Sequence, residues 1–189
     1  MDRILVVSPH LDDETFGCGG TLIDAQINLI VVTKEGRNRD QLSAISNIYN
    51  GLSCIEFGFP NAMLSQNYIP DMISKFSHYS QDPDIIYMPP NDTNTDHQVV
   101  HKACLSLIRI LQPREAYVYE IIGSTNDNFK PNYYVPIDFE KKLNVLSVYS
   151  SEMRNGREVD RVRALAMVRG GEIRVPYAEA FQLVRGIRK

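Results

Sequence analysis

Histidine and carboxylate side chains gather in two short stretches of this sequence. Residues 9–14 read Pro-His-Leu-Asp-Asp-Glu, and residues 91–97 read Asn-Asp-Thr-Asn-Thr-Asp-His. Histidine nitrogen and carboxylate oxygen bind Zn²⁺ and similar divalent ions, and a catalytic zinc site usually combines three protein ligands with one open position for water. The two stretches therefore indicate a metal site of the hydrolytic kind.

Three residues of these stretches have a suitable spacing for a ligand set. His10 and Asp13 are three positions apart across a turn, so both can face one point, and His97 would supply the third ligand. Asp12 would then lie beside the metal without binding it, which is the place for a general base that accepts a proton from water. We expect one zinc ion, although other divalent metals suit similar donors.

Other interpretations of the same residues stay open. An Asp-Asp-Glu sequence after a strand commonly caps a helix and complements its dipole, and His97 alone is typical of an exposed helix start. His101 competes as a ligand because His97 and His101 are four positions apart on one helix face. No Glu follows His97 as in the zinc-protease motif, and His101 lies one turn deeper, so we interpret it as a supporting or packing residue. The presence of two clusters favours the metal site.

The elements that must position these residues alternate between strand and helix. Apolar runs predict strands at 4–8, 28–33, 53–57, 84–88, 115–122, 133–137 and 180–184. Helical patterns occupy 14–26, 39–52, 71–79, 98–111, 139–149 and 161–169. This alternation predicts an α/β fold with a mainly parallel sheet, helices on both faces and a C-terminal extension, all in one domain over residues 1–189. Both polar stretches follow strands, so their side chains should meet at the carboxyl edge of the sheet.

Composition narrows the function classes. The 189 residues carry 20 Lys and Arg against 23 Asp and Glu, a net charge of −3, which argues against a protein that tracks nucleic-acid phosphates. No apolar run reaches the ~18–20 residues of a membrane span, and we expect no signal peptide. Cys18, Cys54 and Cys104 form no Cys-x-x-Cys pair, which favours the reducing cytoplasm. The sequence allows a homo-oligomer without indicating its size.

The order of residues around the two stretches resembles a known family. Residues 9–22 resemble the opening of the PIG-L/LmbE-like family of zinc-dependent N-deacetylases, and residues 94–97, Asn-Thr-Asp-His, are similar to its second motif. Weaker similarities are residues 33–36 (Thr-Lys-Glu-Gly) and 177–181 (Tyr-Ala-Glu-Ala-Phe). The resemblance implies a Rossmann-like α/β fold and a hydrolase that removes the acetyl group from an N-acetylated amino sugar, similar to N-acetylglucosamine, or its conjugate.

The resemblance also implies roles for single residues. His10, Asp13 and His97 match the zinc ligands of the family, and Asp12 matches its general base. Many members carry His at the position of Asn94. An Asn amide can donate a hydrogen bond to an oxyanion but cannot deliver a proton. Either Asp12 acts first as base and then as acid, or another group protonates the leaving amine.

The sequence also offers candidate substrate-binding residues and leaves two other functions open. Glu14, Tyr119 and Lys141 are candidates for substrate binding, but no residue identifies the sugar or the group attached to it. One alternative is a non-catalytic Rossmann-like module that binds a nucleotide or sugar, and another is a hydrolase of a different amide. Pure binding would not need the combination of His10, Asp12, Asp13 and His97.

Overall fold

The computed structural model describes residues 2–34, 39–49, 51–80, 82–123, 129–154 and 156–188. The strands are β1 (Ile4–Ser8), β2 (Ile27–Lys34), β3 (Leu52–Pro60), β4 (Ile85–Met88), β5 (Glu115–Tyr119), β6 (Tyr133–Pro136) and β7 (Ala178–Gly186). The helices are α1 (Asp13–Leu22), α2 (Arg39–Ile48), α3 (Ile69–Tyr79), α4 (Thr95–Leu111), α5 (Phe139–Leu146) and α6 (Val159–Glu172). Two 3₁₀ turns, Gln66–Tyr68 and Ser147–Glu152, lie before α3 and after α5.

The strands form one seven-stranded sheet in the order β3-β2-β1-β4-β5-β7-β6. Strands β1 to β5 pair in parallel. The C-terminal third adds the two antiparallel strands, with β7 inserted between β5 and β6. The predicted α/β, Rossmann-like fold with a mainly parallel sheet is therefore confirmed.

Helices cover both faces of the sheet because successive strand residues point to opposite sides. In β1, Val6 packs into a core layer with α1, α2, α5 and α6. Its neighbours Leu5 and Val7 pack into a second layer with α3 and α4. Within the described ranges, no helix has the length and apolar character needed to cross a membrane.

The strand order reverses direction between β1 and β4, and this reversal determines where a ligand can bind. The chain moves from β1 outward to β2 and β3, then returns to place β4 on the other side of β1. The loops that follow β1 and β4 consequently lead to helices on opposite faces and leave a crevice between them. Both polar stretches of the sequence follow these two strands.

Helix α1 lies close to the sheet at Gly17. A Cβ atom at that position would meet the ring of Tyr119 at 2.3 Å, far inside van der Waals contact. Tyr119 is fully buried and donates its hydroxyl proton to the carbonyl of Val7 at 3.0 Å, so its ring has little freedom to move. The glycine therefore allows the close approach of α1 to the sheet.

Replacing Gly17 by Ala is expected to destabilise the protein by about 1–3 kcal/mol, the range typical of an overpacked core. Gly171→Ala is the matched control, because Gly171 lies in a helix and a Cβ there would meet nothing within 4 Å. That control should be neutral or stabilising by up to ~1 kcal/mol. Denaturant unfolding measures both variants, and equal stability of the two would contradict the close packing.

A buried ion pair connects α1 to the C-terminal third. Glu179 accepts hydrogen bonds from the backbone amides of Gly20 and Thr21 at 2.9 and 2.7 Å. Lys142 donates to Glu179 at 2.6 Å and to the carbonyl of Phe16 at 2.7 Å. Two charged side chains thus satisfy backbone groups of α1 between Phe16 and Thr21, which gives Glu179 a structural role in holding that helix.

Candidate metal centre

The loop after β1 presents two carboxylates in different directions. The backbone amide of Asp12 donates to the carbonyl of His10 at 3.1 Å, which forms a tight turn before α1. Asp12 occupies the position that precedes α1, yet its side chain makes no capping hydrogen bond to the helix. The helix-cap interpretation of this carboxylate therefore lacks structural support. Asp12 instead lines an open cleft, while Asp13 is fully buried.

The second cluster is positioned by the start of α4. Asn94 accepts a hydrogen bond from the backbone amide of Asp96 at 2.9 Å through its side-chain oxygen, so it caps the helix. Because of this cap, α4 begins at Thr95, three residues before the predicted start. Asp96 and His97 consequently lie in its first turn. His97 is fully buried, which excludes the exposed position considered for it from sequence.

The two clusters meet at Asp13. Its Oδ2 lies 3.1 Å from Nε2 of His97 and 3.1 Å from Nδ1 of His10. One donor atom from each of these three residues lies within 4.8 Å of the others. Ligands at zinc–nitrogen and zinc–oxygen bond lengths in a tetrahedral site are roughly 3.3 Å apart. The three predicted ligands therefore form a group whose donor chemistry could hold a divalent metal ion.

Neighbouring carboxylates orient both histidines. Oδ2 of Asp92 lies 2.7 Å from Nδ1 of His97, and a carboxylate can only accept there, so Nδ1 carries the proton. Nε2 of His97 is left facing Asp13, buried and without a hydrogen bond among the described residues. Asp96 similarly lies 3.2 Å from Nε2 of His10. Carboxylates that hold ligand histidines in this way are common at metal sites, and this arrangement fits a metal at the group.

Asp96 also fixes the loop that follows β3. Its carboxylate accepts hydrogen bonds from the backbone amides of Ala62 and Leu64 at 2.7 and 3.1 Å. Ala62 adopts the left-handed region, with φ of 57°, and its N–H group donates to Asp96. Burial raises the pKa of Asp96, but the contact with His10 and these two amides outweigh it and lower that pKa below its usual value. Asp96 therefore stays ionised and ties a third loop to the site.

The charge states of Asp13 and His97 are linked. Burial raises the pKa of Asp13, but His97 and the contact with His10 outweigh it and hold that pKa well below its usual range. Burial lowers the pKa of His97, but the carboxylates of Asp13 and Asp92 more than offset this and raise it to about 9. A proton on His97 therefore competes with a metal for the same donor group.

His101, the competing ligand, lies apart from the donor group. Its Nδ1 is 2.9 Å from the carbonyl oxygen of Pro89, which it contacts as a hydrogen-bond donor. Burial is the main reason that the pKa of His101 is lowered. In the part of the chain that the structure describes, the group able to hold a metal contains His97 and not His101. This placement agrees with the supporting or packing role expected from sequence.

An open cleft of about 290 Å³ gives access to the site. Its described lining residues are mostly polar: His10, Asp12, Asn61, Ala62, Asn94, Thr95, Asp96, Glu152 and Arg157. Arg157 comes from the segment before α6 and donates a hydrogen bond to Oδ2 of Asp12 at 3.2 Å. A cleft of this character suits a small polar molecule.

The three candidate substrate residues lie elsewhere. Glu14 is buried under the β1–α1 turn, where it accepts from Ser8 at 3.0 Å, and burial raises its pKa to about 7. Tyr119 lies in the core, and Lys141 donates to Asp24 at 2.7 Å near the far end of α1. None of the three lies among the described residues of the cleft, so substrate binding by them has no structural support.

Three site residues received no role from sequence. Asp92 and Asp96 belong to the second polar cluster, and their spacing from His97 and His10 was the available signal. Arg157 lies 145 positions from Asp12, and no pattern in the sequence near Arg157 indicates this contact.

The weak family similarity at residues 33–36 is described only in part. The hydroxyl of Thr33 donates to the carbonyl of Pro9 at 2.8 Å, whereas Glu35 and Gly36 lie outside the described residues.

Comparisons with known proteins give matches in structure only. No family model and no curated protein matches the sequence. A conserved protein from Thermus thermophilus, TT1542, has a TM-score of 0.80 at 20% identity over 100% of this chain and 97% of its own. The N,N'-diacetylchitobiose deacetylase from Pyrococcus horikoshii has a TM-score of 0.74 at 18% identity, covering 98% of this chain and 84% of its own.

A second deacetylase is also similar in structure. A deacetylase of the teicoplanin biosynthetic pathway, solved as a triple mutant, has a TM-score of 0.71 at 17% identity over 99% of this chain and 100% of its own. The chain has the fold of these deacetylases. This agrees with the resemblance to the PIG-L/LmbE-like family. The 4-carboxy-2-hydroxymuconate hydratase GalB from Pseudomonas putida has the same fold, with a TM-score of 0.72 at 13% identity over 100% of this chain and 98% of its own. The fold alone therefore does not define the chemistry.

Proposed function

We propose that this chain is a zinc-dependent deacetylase, a hydrolase of linear amide C–N bonds. Its substrate would be a small N-acetylated amino sugar, similar to N-acetylglucosamine, or a conjugate of one. The observation that carries the proposal is the convergence of His10, Asp13 and His97 beside Asp12 at the floor of an open polar cleft. The deacetylases of the same fold act as further support.

In the proposed site, three residues bind the metal and two further carboxylates orient the ligand histidines. A divalent metal bound by His10, Asp13 and His97 supplies a Lewis acid that favours deprotonation of water and polarises a carbonyl. Asp92 and Asp96 hold the two histidines so that one nitrogen of each faces Asp13. This preorganisation limits the rearrangement that metal binding requires.

Asp12 carries the proton in the proposed reaction. Its carboxylate accepts a proton from the water that attacks the acetyl carbonyl carbon, and a tetrahedral oxyanion forms. Asp12 then returns that proton to the amide nitrogen as the C–N bond breaks, which releases the free amine and acetate. Asn94 lines the same cleft and is proposed to donate an amide hydrogen bond to the oxyanion.

Asn94 therefore has two separable functions, helix capping and oxyanion binding. We expect Asn94→Ser to keep a capping side chain, since Ser is a good N-cap residue, but to lack the amide donor. Its kcat should fall by about 10²–10³, the usual loss for one oxyanion donor, with unchanged zinc content. Steady-state kinetics and metal analysis measure this, and a kcat close to that of the wild type would restrict Asn94 to capping.

Two alternatives share the fold. A non-catalytic binding module would bind a sugar or nucleotide without releasing product, and a hydrolase of another amide would ignore N-acetyl sugars. The first would have no need of a proton acceptor beside a three-residue donor group. The hydrolase of another amide differs only in its substrate, so a substrate screen distinguishes it from the proposed function.

The test is a screen of N-acetylated sugars, sugar nucleotides and glycoconjugates with zinc-loaded protein. Release of a primary amine together with acetate is expected for at least one N-acetylated amino sugar, and Asp12→Asn serves as the matched inactive control. Equal amine release by both proteins would exclude Asp12 as the general base. Release from other amides alone would support the second alternative, and no release from any amide would contradict the proposal.

A further inference from the structure

Arg157 bridges the two neighbouring carboxylates of the β1–α1 turn. Its Nη1 donates to Oδ2 of Asp12 at 3.2 Å, and its Nη2 donates to Oδ1 of Asp13 at 3.4 Å. The two oxygens belong to residues with different proposed roles, one the base and the other a metal ligand. A planar guanidinium with two parallel donors can fix both carboxylates at once.

The guanidinium is itself held in place. Its central carbon lies 5.1 Å from the ring centroid of Phe16, which is buried one helical turn after Asp12. This is the distance of a cation–π contact. Only 20% of the Arg157 side chain is exposed. The aromatic ring and the two carboxylates therefore define one orientation for the guanidinium.

We propose that Arg157 is a positioning residue that keeps Asp12 available as the base and prevents it from binding the metal, an inference that rests on the proposed function. Arg157 contacts Oδ1 of Asp13, while Oδ2 of the same carboxylate faces His10 and His97. A divalent cation attracts both adjacent carboxylates. The hydrogen bond from Arg157 holds Asp12 in the cleft, away from the donor group.

Because Arg157 is positively charged, a positioning role and a purely structural role predict different effects of its removal on zinc affinity. Among the described residues of the cleft, Arg157 is the one lysine or arginine. A fixed positive charge beside a ligand carboxylate opposes the binding of a second cation. Removal of Arg157 should therefore leave zinc binding as strong or strengthen it, while turnover falls because the base is no longer held. A residue needed only for folding would weaken both.

The experiment compares Arg157→Ala and Arg157→Lys with the wild type. Arg161→Ala is the matched control, because Arg161 is an exposed residue paired with Glu158 outside the cleft. In Arg157→Ala, kcat should fall by about 10–10², the loss associated with a misplaced catalytic group. The zinc dissociation constant, measured by chelator competition without substrate, should stay equal or decrease. Methylguanidinium at high concentration should restore part of the lost kcat, and Arg157→Lys should remain impaired because it lacks the planar fork.

The outcomes are distinguishable. Zinc binding clearly weaker in Arg157→Ala, unchanged kcat, or no restoration by methylguanidinium would each overturn the positioning role. If the wild type releases no amine from any substrate, the proposed function fails, and zinc affinity alone then decides on Arg157. In that case stronger zinc binding in Arg157→Ala would support the effect of Arg157 on Asp12, and equal or weaker binding would overturn it.

Discussion

Replacement of Asp12 by Asn is expected to abolish most turnover while the protein keeps its metal. Asp12 lines the cleft beside the donor group and is not one of the three residues that form it. The amide of Asn cannot accept the proton of water, so kcat should fall by about 10²–10⁴, the usual contribution of a general base. The shape of the side chain is retained. Amine-release kinetics and metal analysis of the same preparation measure the two effects.

A second Asp-to-Asn change controls for the chemistry of the substitution. Asp24 is an exposed residue near the far end of α1, where it pairs with Lys141, and Asp24→Asn should have kinetics like those of the wild type. Loss of zinc from Asp12→Asn would make Asp12 a ligand. Near-normal turnover in that variant would exclude it as the base.

Replacement of His97 by Ala should remove the metal. His97 is fully buried, and its Nε2 lies 3.1 Å from Oδ2 of Asp13, so Ala removes a proposed ligand and leaves a buried carboxylate without that partner. Asp92→Asn changes the group that orients His97 and keeps one oxygen for the backbone amide of Asn94. Outer partners of this kind contribute roughly 10–100-fold to metal affinity. His97→Ala should therefore lose more affinity than Asp92→Asn.

His101→Ala is the matched control for His97→Ala, because both residues lie on α4 and only His97 belongs to the donor group. Zinc affinity is measured for all three variants by competition with a chelator. The expected order of loss is His97→Ala, then Asp92→Asn, then His101→Ala with almost none. If His101→Ala removes the zinc and His97→Ala retains it, the ligand assignment is wrong.

The fold was largely predictable because strands β1, β2 and β4 read as mostly apolar runs. Strands such as β1 and β4 are buried on both faces, so burial leaves a plain signal in the sequence. The antiparallel insertion of β7 between β5 and β6 was not predictable, since strand order depends on long-range pairing. The start of α4 was placed three residues late because the capping role of Asn94 depends on the direction of its side chain.

The convergence of the three candidate ligands was predictable for a related reason. His10 and Asp13 are local in sequence, and the carboxyl ends of neighbouring parallel strands bring His97 to them. Contacts between residues that are far apart in the sequence, and are brought together only by packing of the fold, leave no pattern in the sequence. Arg157 reaches Asp12 from 145 positions away, and Asp96 acts through backbone amides of the loop after β3. Side chains that support the site are therefore revealed by the structure, whereas the donors themselves are visible in the sequence.

A zinc titration of metal-free protein tests the central claim most directly. Zinc is added stepwise to chelator-treated protein while amine release from an N-acetylated amino sugar is followed. The account predicts that the rate rises in proportion to added zinc and reaches a plateau at one zinc per chain, since one three-ligand site is proposed. A rate that does not depend on added zinc would contradict metal-dependent deacetylation at His10, Asp13 and His97.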